Sequence, residues 1–278
     1  MEHRAQCAEL CSRRGLELLG FRESLSGASR WIAHVRDKTG ASFLLKQTIP
    51  QRGASEAAAL RAWNVTGSAA RLMEELGDGA YLAEWLDGVS LAELPLTELA
   101  DFASVGRMLR SLHAIAPPQT LDDIRNRFTE SVMARWHDLT PEMMVFADEA
   151  ATRLRRHEPR DPVMLHGDLV PSNVMMTGGG PRIIDPYPCE GLAAWDIAQL
   201  AAAAAGRGRR GVIAPLLEGY GSAPSLLPEM YAWMLLSFLQ SNLAAQRVEF
   251  SDNLRPLALE LVRIGDPSEF LRRQCAVG

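Results

Sequence analysis

Between Val163 and Asp185 the chain reads VMLHGDLVPSNVMMTGGGPRIID, and this stretch restricts the fold more than any other. Three short apolar runs, Val163–Leu165, Asn173–Met176 and Arg182–Ile184, alternate with polar and glycine-rich turns, which is the pattern of short strands. Gly178-Gly179-Gly180 turns the last two into a hairpin. Asp168 follows the first run, Asn173 opens the second and Asp185 ends the third. A carboxylate in the loop after the first strand can orient a hydroxyl. An amide and a second carboxylate across the hairpin can share a metal ion, a grouping that suits magnesium and phosphate.

Upstream, an opening helix over Glu2–Arg14 leads into strands over Leu16–Arg22, Arg30–Arg36 and Ser42–Thr48, with a turn at Asp37-Lys38-Thr39-Gly40. This is an antiparallel meander, and no Gly-x-x-x-x-Gly-Lys-Ser/Thr element occurs in the chain, so a P-loop fold is not expected. Between the first two strands the small residues Ser26, Gly27 and Ala28 let backbone N–H groups approach an anionic ligand. Lys46 ends the apolar run Phe43-Leu44-Leu45, where an ammonium on the buried side needs an anionic partner. A helix expected over Ser55–Trp63 places Glu56 in its first turn, facing the sheet. Taken singly, Lys46 reads as an edge-strand lysine and Glu56 as an acid favoured by the helix dipole.

Together these residues resemble the aminoglycoside phosphotransferases and their small-molecule kinase relatives, which have the protein-kinase-like fold. The resemblance is carried by His166-Gly167-Asp168, Asn173 five residues after the aspartate, Ile184-Asp185-Pro186, and Lys46 with Glu56 upstream. It implies an α+β, bilobal architecture: an N-lobe of antiparallel sheet plus helix over residues 1–86, and a larger, mainly helical C-lobe over residues 87–278. It further implies that Asp168 is the catalytic carboxylate, that Asn173 and Asp185 hold Mg2+, and that Lys46, paired with Glu56, contacts the phosphates of ATP or GTP. Ser26, Gly27 and Ala28 would cover those phosphates. The Glu84 carbonyl and the Leu86 N–H would hold the purine at the hinge between lobes. His166 and Asp196 would support the catalytic loop. The segment Gly191-Leu192-Ala193-Ala194-Trp195-Asp196 lacks the first aspartate and the proline of the related Gly-Asp-Pro-x-x-Asp motif, which leaves the local loop shape open.

From Leu96 the chain reads as mainly helical, with apolar periodicity over Leu99–Ile115, Ile124–Leu139, Met143–Leu154, Arg209–Tyr220, Leu227–Gln246 and Asn253–Val262, and a last helix near Glu269. Asp87-Gly88 marks the expected break before this region. His113 reads as a packed or solvent-edge histidine with no ligand role. Tyr187, Glu190, Trp195, Tyr231 and Trp233 are candidate walls of a substrate pocket, although aromatic residues on helices more often belong to cores.

A chain of 278 residues with 47% hydrophobic content can bury one large core or two packed lobes. Its net charge of −5 argues against general nucleic-acid binding, and Arg207-Gly208-Arg209-Arg210 reads as a solvated loop. The 4 cysteines and 6 histidines show no metal-knuckle spacing, so free thiols and no structural metal are expected. The charged start lacks a signal-peptide core and the apolar runs are too short to cross a bilayer, which points to the cytoplasm and no membrane partner. The oligomeric state is not legible.

Only a short loop separates Asp185 from the helix at Ala193, which leaves no room for a protein kinase's activation segment. The expected acceptor is therefore a small hydroxylated molecule, and the net acidity is compatible with a cationic one. Ile-Asp-Pro resembles most the group acting on streptomycin-type aminoglycosides, which implies antibiotic resistance. Cyclic peptide antibiotics of the capreomycin and viomycin kind, choline, homoserine and amino sugars stay open as acceptors. A nucleotide-binding regulator without turnover is the reading from another class.

Overall fold

A computed structural model describes residues 2–23, 29–95, 101–118, 121–127, 140–156, 162–209 and 211–221, with isolated positions at 256, 259–260, 263–264 and 269. Helix α1 (Glu2–Arg14) lies on one face of a five-stranded antiparallel sheet in the order β1-β2-β3-β5-β4. The strands are β1 (Glu17–Glu23), β2 (Ser29–Arg36), β3 (Ser42–Thr48), β4 (Leu72–Gly77) and β5 (Ala80–Glu84). The two-residue period of the strands sorts their side chains. Trp31, Ala33, Val35 and Leu45 pack with Cys7 and Cys11 of α1 in one cluster. Leu44, Tyr81 and Ala83 join the main core on the other face. Lys46 shares that second face, because it stands opposite Ile32 and Tyr81 in the ladder.

Helix α2 (Pro50–Trp63) covers the second face and buries Glu56, Ala57, Ala59, Leu60 and Trp63. It begins five residues earlier than the Ser55 expected from sequence, so Glu56 sits in its second turn. Pro50 explains the difference: a proline in the first helical turn gives up an N–H that has no partner there anyway. Trp63 donates from its indole N–H to the Leu112 carbonyl at 3.2 Å, tying α2 to the helical part of the chain.

After β5 the break expected at Asp87-Gly88 is instead a short strand, β6 (Gly88–Ser90), which pairs with β8 (Val174–Thr177). β8 pairs in turn with β9 (Gly180–Ile183), forming the expected hairpin through Gly178 and Gly179. A run of three residues is too short to show a period, so β6 was invisible without its partner. β7 (Val163–Leu165) pairs with β10 (Cys189–Gly191). Around these ribbons stand α3 (Phe102–His113), α4 (Pro141–Arg156), α5 (Ala194–Gly206) and α6 (Ile213–Tyr220).

Helix α3 starts at an Asp101 cap that accepts from the Ser104 N–H at 2.9 Å, and it buries Phe102, Val105, Met108, Leu109 and Leu112 at helical spacing. It packs against α6 so closely that a Cβ on Gly219 would collide with the Ala103 carbonyl. The basic cluster corrects another expectation. Arg209 is 7% exposed and donates to the carbonyls of Leu94 at 2.6 Å and Pro95 at 3.2 Å, so one of its arginines is buried as a brace for the chain after β6.

Cys7, Cys11 and Cys189 are free thiols, and among the described residues no helix is long and apolar enough to cross a membrane. The helices expected over Leu227–Gln246 and most of Ile124–Leu139 and Asn253–Val262 lie outside the described residues, as do Ser26, Gly27, Ala28, Tyr231 and Trp233.

Candidate active site

The loop after β7 has every backbone N–H from residue 166 to residue 170 hydrogen-bonded. Met164 and Leu165, both fully buried, anchor its start. Asp196, in the first turn of α5 and fully buried, accepts the His166 N–H at 2.7 Å on one oxygen and the Gly167 N–H at 3.1 Å on the other. The Asp168 N–H donates to His166 Nδ1 at 3.2 Å, the Leu169 N–H to Gln199 Oε1 at 2.7 Å and the Val170 N–H to the Asp168 carbonyl at 3.1 Å. Because His166 Nδ1 accepts and Nε2 meets the Ile184 carbonyl at 2.9 Å, its proton is on Nε2. Gly167 has φ 76°, and a Cβ there would strike the Tyr187 carbonyl oxygen, so only glycine fits between His166 and Asp168.

Behind Asp196 the buried His113 donates from Nε2 to its Oδ2 at 3.1 Å, while Nδ1 meets the Tyr220 hydroxyl at 3.1 Å. The packed histidine expected from sequence is thus a partner of Asp196. Its position offered a signal, since His113 lies four residues after Leu109 on the apolar stripe of α3. Burial, with Asp196's negative charge second, pushes the Tyr220 hydroxyl up to about 12. Asn173, in a single 3-10 turn (Pro171–Asn173), donates from Nδ2 to the Asp168 carbonyl at 2.9 Å, which leaves its Oδ1 as the atom available for a metal.

Across from this loop Lys46, 2% exposed, donates to Glu56 Oε2 at 2.6 Å and ion-pairs with Asp185. Glu56 also accepts from Arg52 Nε at 2.6 Å and from the Tyr81 hydroxyl at 2.8 Å, so its fully buried carboxylate is matched by two cations and a phenol. Asp185 takes up a left-handed backbone conformation, φ 55°, that non-glycine residues seldom adopt. Burial alone would raise its pKa, but the charge and hydrogen bond of Lys46, with Arg52 and His166, hold it below the usual carboxylate range. Asp168 goes the other way: burial and the negative charges of Asp185 and Asp196 raise it, against His166 and Arg52. Lys46, Glu56 and Asp185 therefore meet at one point. Arg52, Tyr81 and Gln199 were not singled out in the sequence.

At the end of β5, Glu84 spends its side chain on Arg182 of β9, with both carboxylate oxygens engaged at 2.9 and 2.6 Å. The Arg182 hydrogen bond is the main cause that holds the Glu84 pKa below its ordinary value. Leu86, two residues on, is half-buried in the connection to β6, and between them Trp85 stacks on His34 at a ring separation of 3.8 Å. Trp195 is 2% exposed and belongs to the core, whereas Tyr187 is 39% exposed. Among the described residues no three His, Cys, Asp or Glu side chains cluster as a metal cage.

Residues 28–234 match the phosphotransferase enzyme family. The chain belongs to that family. Comparison with curated proteins gives no match. Among solved structures, a choline/ethanolamine kinase family protein from Mesorhizobium loti aligns at 18% identity over 99% of this chain and 98% of its own, with a TM-score of 0.69. A thermostable aminoglycoside phosphotransferase variant in complex with AMP-PNP and hygromycin B aligns at 16% identity over 93% and 98%, with a TM-score of 0.66. A spectinomycin phosphotransferase in complex with ADP and spectinomycin aligns at 13% identity over 97% and 98%, with a TM-score of 0.64. The bilobal kinase-like fold is therefore common to all four.

Proposed function

We propose that this phosphotransferase moves the γ-phosphoryl group of a magnesium nucleotide, ATP or GTP, to a hydroxyl of a small cationic molecule, an aminoglycoside antibiotic of the streptomycin type first, and so confers resistance. The observation that carries the reading is the meeting of Lys46, Glu56 and Asp185 across from a fully hydrogen-bonded Asp168 loop. One carboxylate and one amide oxygen are too few for an all-protein metal site. They fit magnesium, which binds through one or two carboxylates and takes its remaining ligands from phosphates and water. Asp185 and Asn173 Oδ1 are the groups that would hold it, and the ion would neutralise charge developing on the phosphates.

In this reading the nucleotide lies between lobes formed by residues 1–86 and 87–278, its purine against the backbone at Glu84 and Leu86. Lys46 turns from Asp185 to the phosphates when they arrive, and Glu56 holds it in reach. Ser26, Gly27 and Ala28 cover the phosphates from the β1–β2 connection. Asp168 orients the acceptor hydroxyl and takes its proton late, because phosphoryl transfer has a loose transition state that needs positioning more than a strong base. Its raised pKa suits that late proton acceptance. His166 and Asp196 hold the loop so that Asp168 needs no rearrangement. The acceptors named for the fold relatives, hygromycin B, spectinomycin and choline or ethanolamine, all carry cationic nitrogen and a hydroxyl. Choline-type acceptors are the second reading, favoured by the 0.69 TM-score of the choline/ethanolamine kinase family protein.

The test is mass-spectrometric detection of phosphate transfer from magnesium ATP and GTP to a panel of aminoglycosides, cyclic peptide antibiotics, choline, homoserine and amino sugars, with Asp168→Asn as control. A product that disappears in the control supports the reaction and names the acceptor. Nucleotide binding with no product across the panel favours a regulator instead.

A further inference from the structure

Tyr187 lies two residues beyond Asp185 and has no part in the scheme above. Two guanidinium groups lie over its ring, Arg52 at 4.1 Å and Arg127 at 4.0 Å from the centroid. Each arginine is also held by hydrogen bonds. Arg52 belongs to α2 and holds Glu56 at 2.6 Å. Arg127 donates to the Tyr187 carbonyl at 3.0 Å and the Pro188 carbonyl at 2.7 Å, binding that segment to the helical lobe. Contacts then close a ring: Asp185 runs by backbone to Tyr187, Tyr187 stacks on Arg52, Arg52 pairs with Glu56, Glu56 with Lys46, and Lys46 with Asp185.

We infer that Tyr187 and Arg52 are positioning residues, a clasp that fixes α2 against the Asp185 segment and thereby sets where Lys46 and Asp185 meet the nucleotide phosphates. The clasp rests on the phosphoryl-transfer reading of the same site. Two like charges can face one ring because each cation is attracted by the aromatic face while its hydrogen bonds meet a separate acceptor, the Glu56 carboxylate for Arg52 and the Tyr187 and Pro188 carbonyls for Arg127. Arg52 is 16% exposed at its side chain, so its charge is only partly screened. That charge also bears on Asp168 and Asp185 and favours the ionised form of both. Tyr187, by contrast, is exposed enough that changing it opens no core cavity.

Tyr187→Phe keeps the aromatic face, and Tyr187→Leu removes it at similar bulk. Three readings apply to each: amide hydrogen exchange over residues 50–63, calorimetric affinity for magnesium AMP-PNP, and the thermal midpoint. The clasp predicts faster exchange in α2 and affinity weakened about fivefold or more for Tyr187→Leu, with the midpoint within about 2 °C of wild type. Tyr187→Phe should match wild type in all three. A Leu variant equal to wild type in exchange and affinity overturns the inference, and so does a Phe variant that falls as far as Leu. If the wild-type protein binds no nucleotide, the phosphotransfer reading itself fails and the clasp loses its role, and exchange then shows only whether the contact holds α2.

Discussion

Replacing Glu56 by Gln removes one negative charge from the centre of the buried ion cluster while keeping its shape. Glu56 is fully buried and accepts from Lys46, Arg52 and Tyr81, and Lys46 is itself 2% exposed. Taking one partner from a buried pair generally costs about 3–5 kcal/mol, because the remaining charge stays desolvated. Two features reduce this. The amide retains one oxygen for a donor, and Lys46 keeps Asp185, whose side chain is 47% exposed. The expected loss is about 2–4 kcal/mol, a large part of the roughly 5–15 kcal/mol that holds a typical domain. At about 2–4 °C per kcal/mol the midpoint should fall by roughly 5–15 °C. Urea titration with parallel calorimetry measures both. Asp185→Asn is the matched control, because a half-exposed pair is worth at most about 1 kcal/mol. If Glu56→Gln stays within about 0.5 kcal/mol of wild type, or Asp185→Asn costs as much, the cluster is not held as described.

Other perturbations probe other parts. Gly167→Ala should leave the far-ultraviolet spectrum intact but remove most transfer activity, since the left-handed backbone costs about 1–2 kcal/mol for an alanine and its Cβ pushes the Tyr187 carbonyl away; unchanged activity would refute the steric account. Arg209→Met should lower stability by about 1–3 kcal/mol in urea titration by stranding the carbonyls of Leu94 and Pro95. Because the native Glu84 pKa is depressed, its pairing with Arg182 adds stability above the unfolded value near 4.5 and loses it as pH falls through the lowered native value. The stability gap between wild type and Glu84→Gln should hold steady above that pH and shrink below it in urea titrations.

The loop after β7 was legible because its pattern is local: Asp168, Asn173 and Asp185 stand at the ends of short apolar runs. Lys46 and Glu56 were legible as a pair because the one closes the apolar run of β3 and the other follows in the next helix. What sequence missed came from distant partners. Arg209 looked solvated because its acceptors, the carbonyls after β6, are more than a hundred residues away. β6 had too few residues to show a period without β8 beside it. His113 followed the apolar stripe of α3, but nothing local announced that Asp196 would face it. Glu84 was read for its backbone alone, and its carboxylate goes to Arg182, a pairing that the β8–β9 hairpin brings about.

On the proposed reaction, Asp168 serves transfer and not nucleotide binding. The most direct measurement compares the transfer rate to the best acceptor for wild type and Asp168→Asn, with magnesium AMP-PNP affinity read on the same samples. The Asp168→Asn rate should be lower by about 10²–10⁴-fold and its affinity within about threefold of wild type. Equal rates, or a rate loss matched by an equal loss of nucleotide affinity, would contradict it.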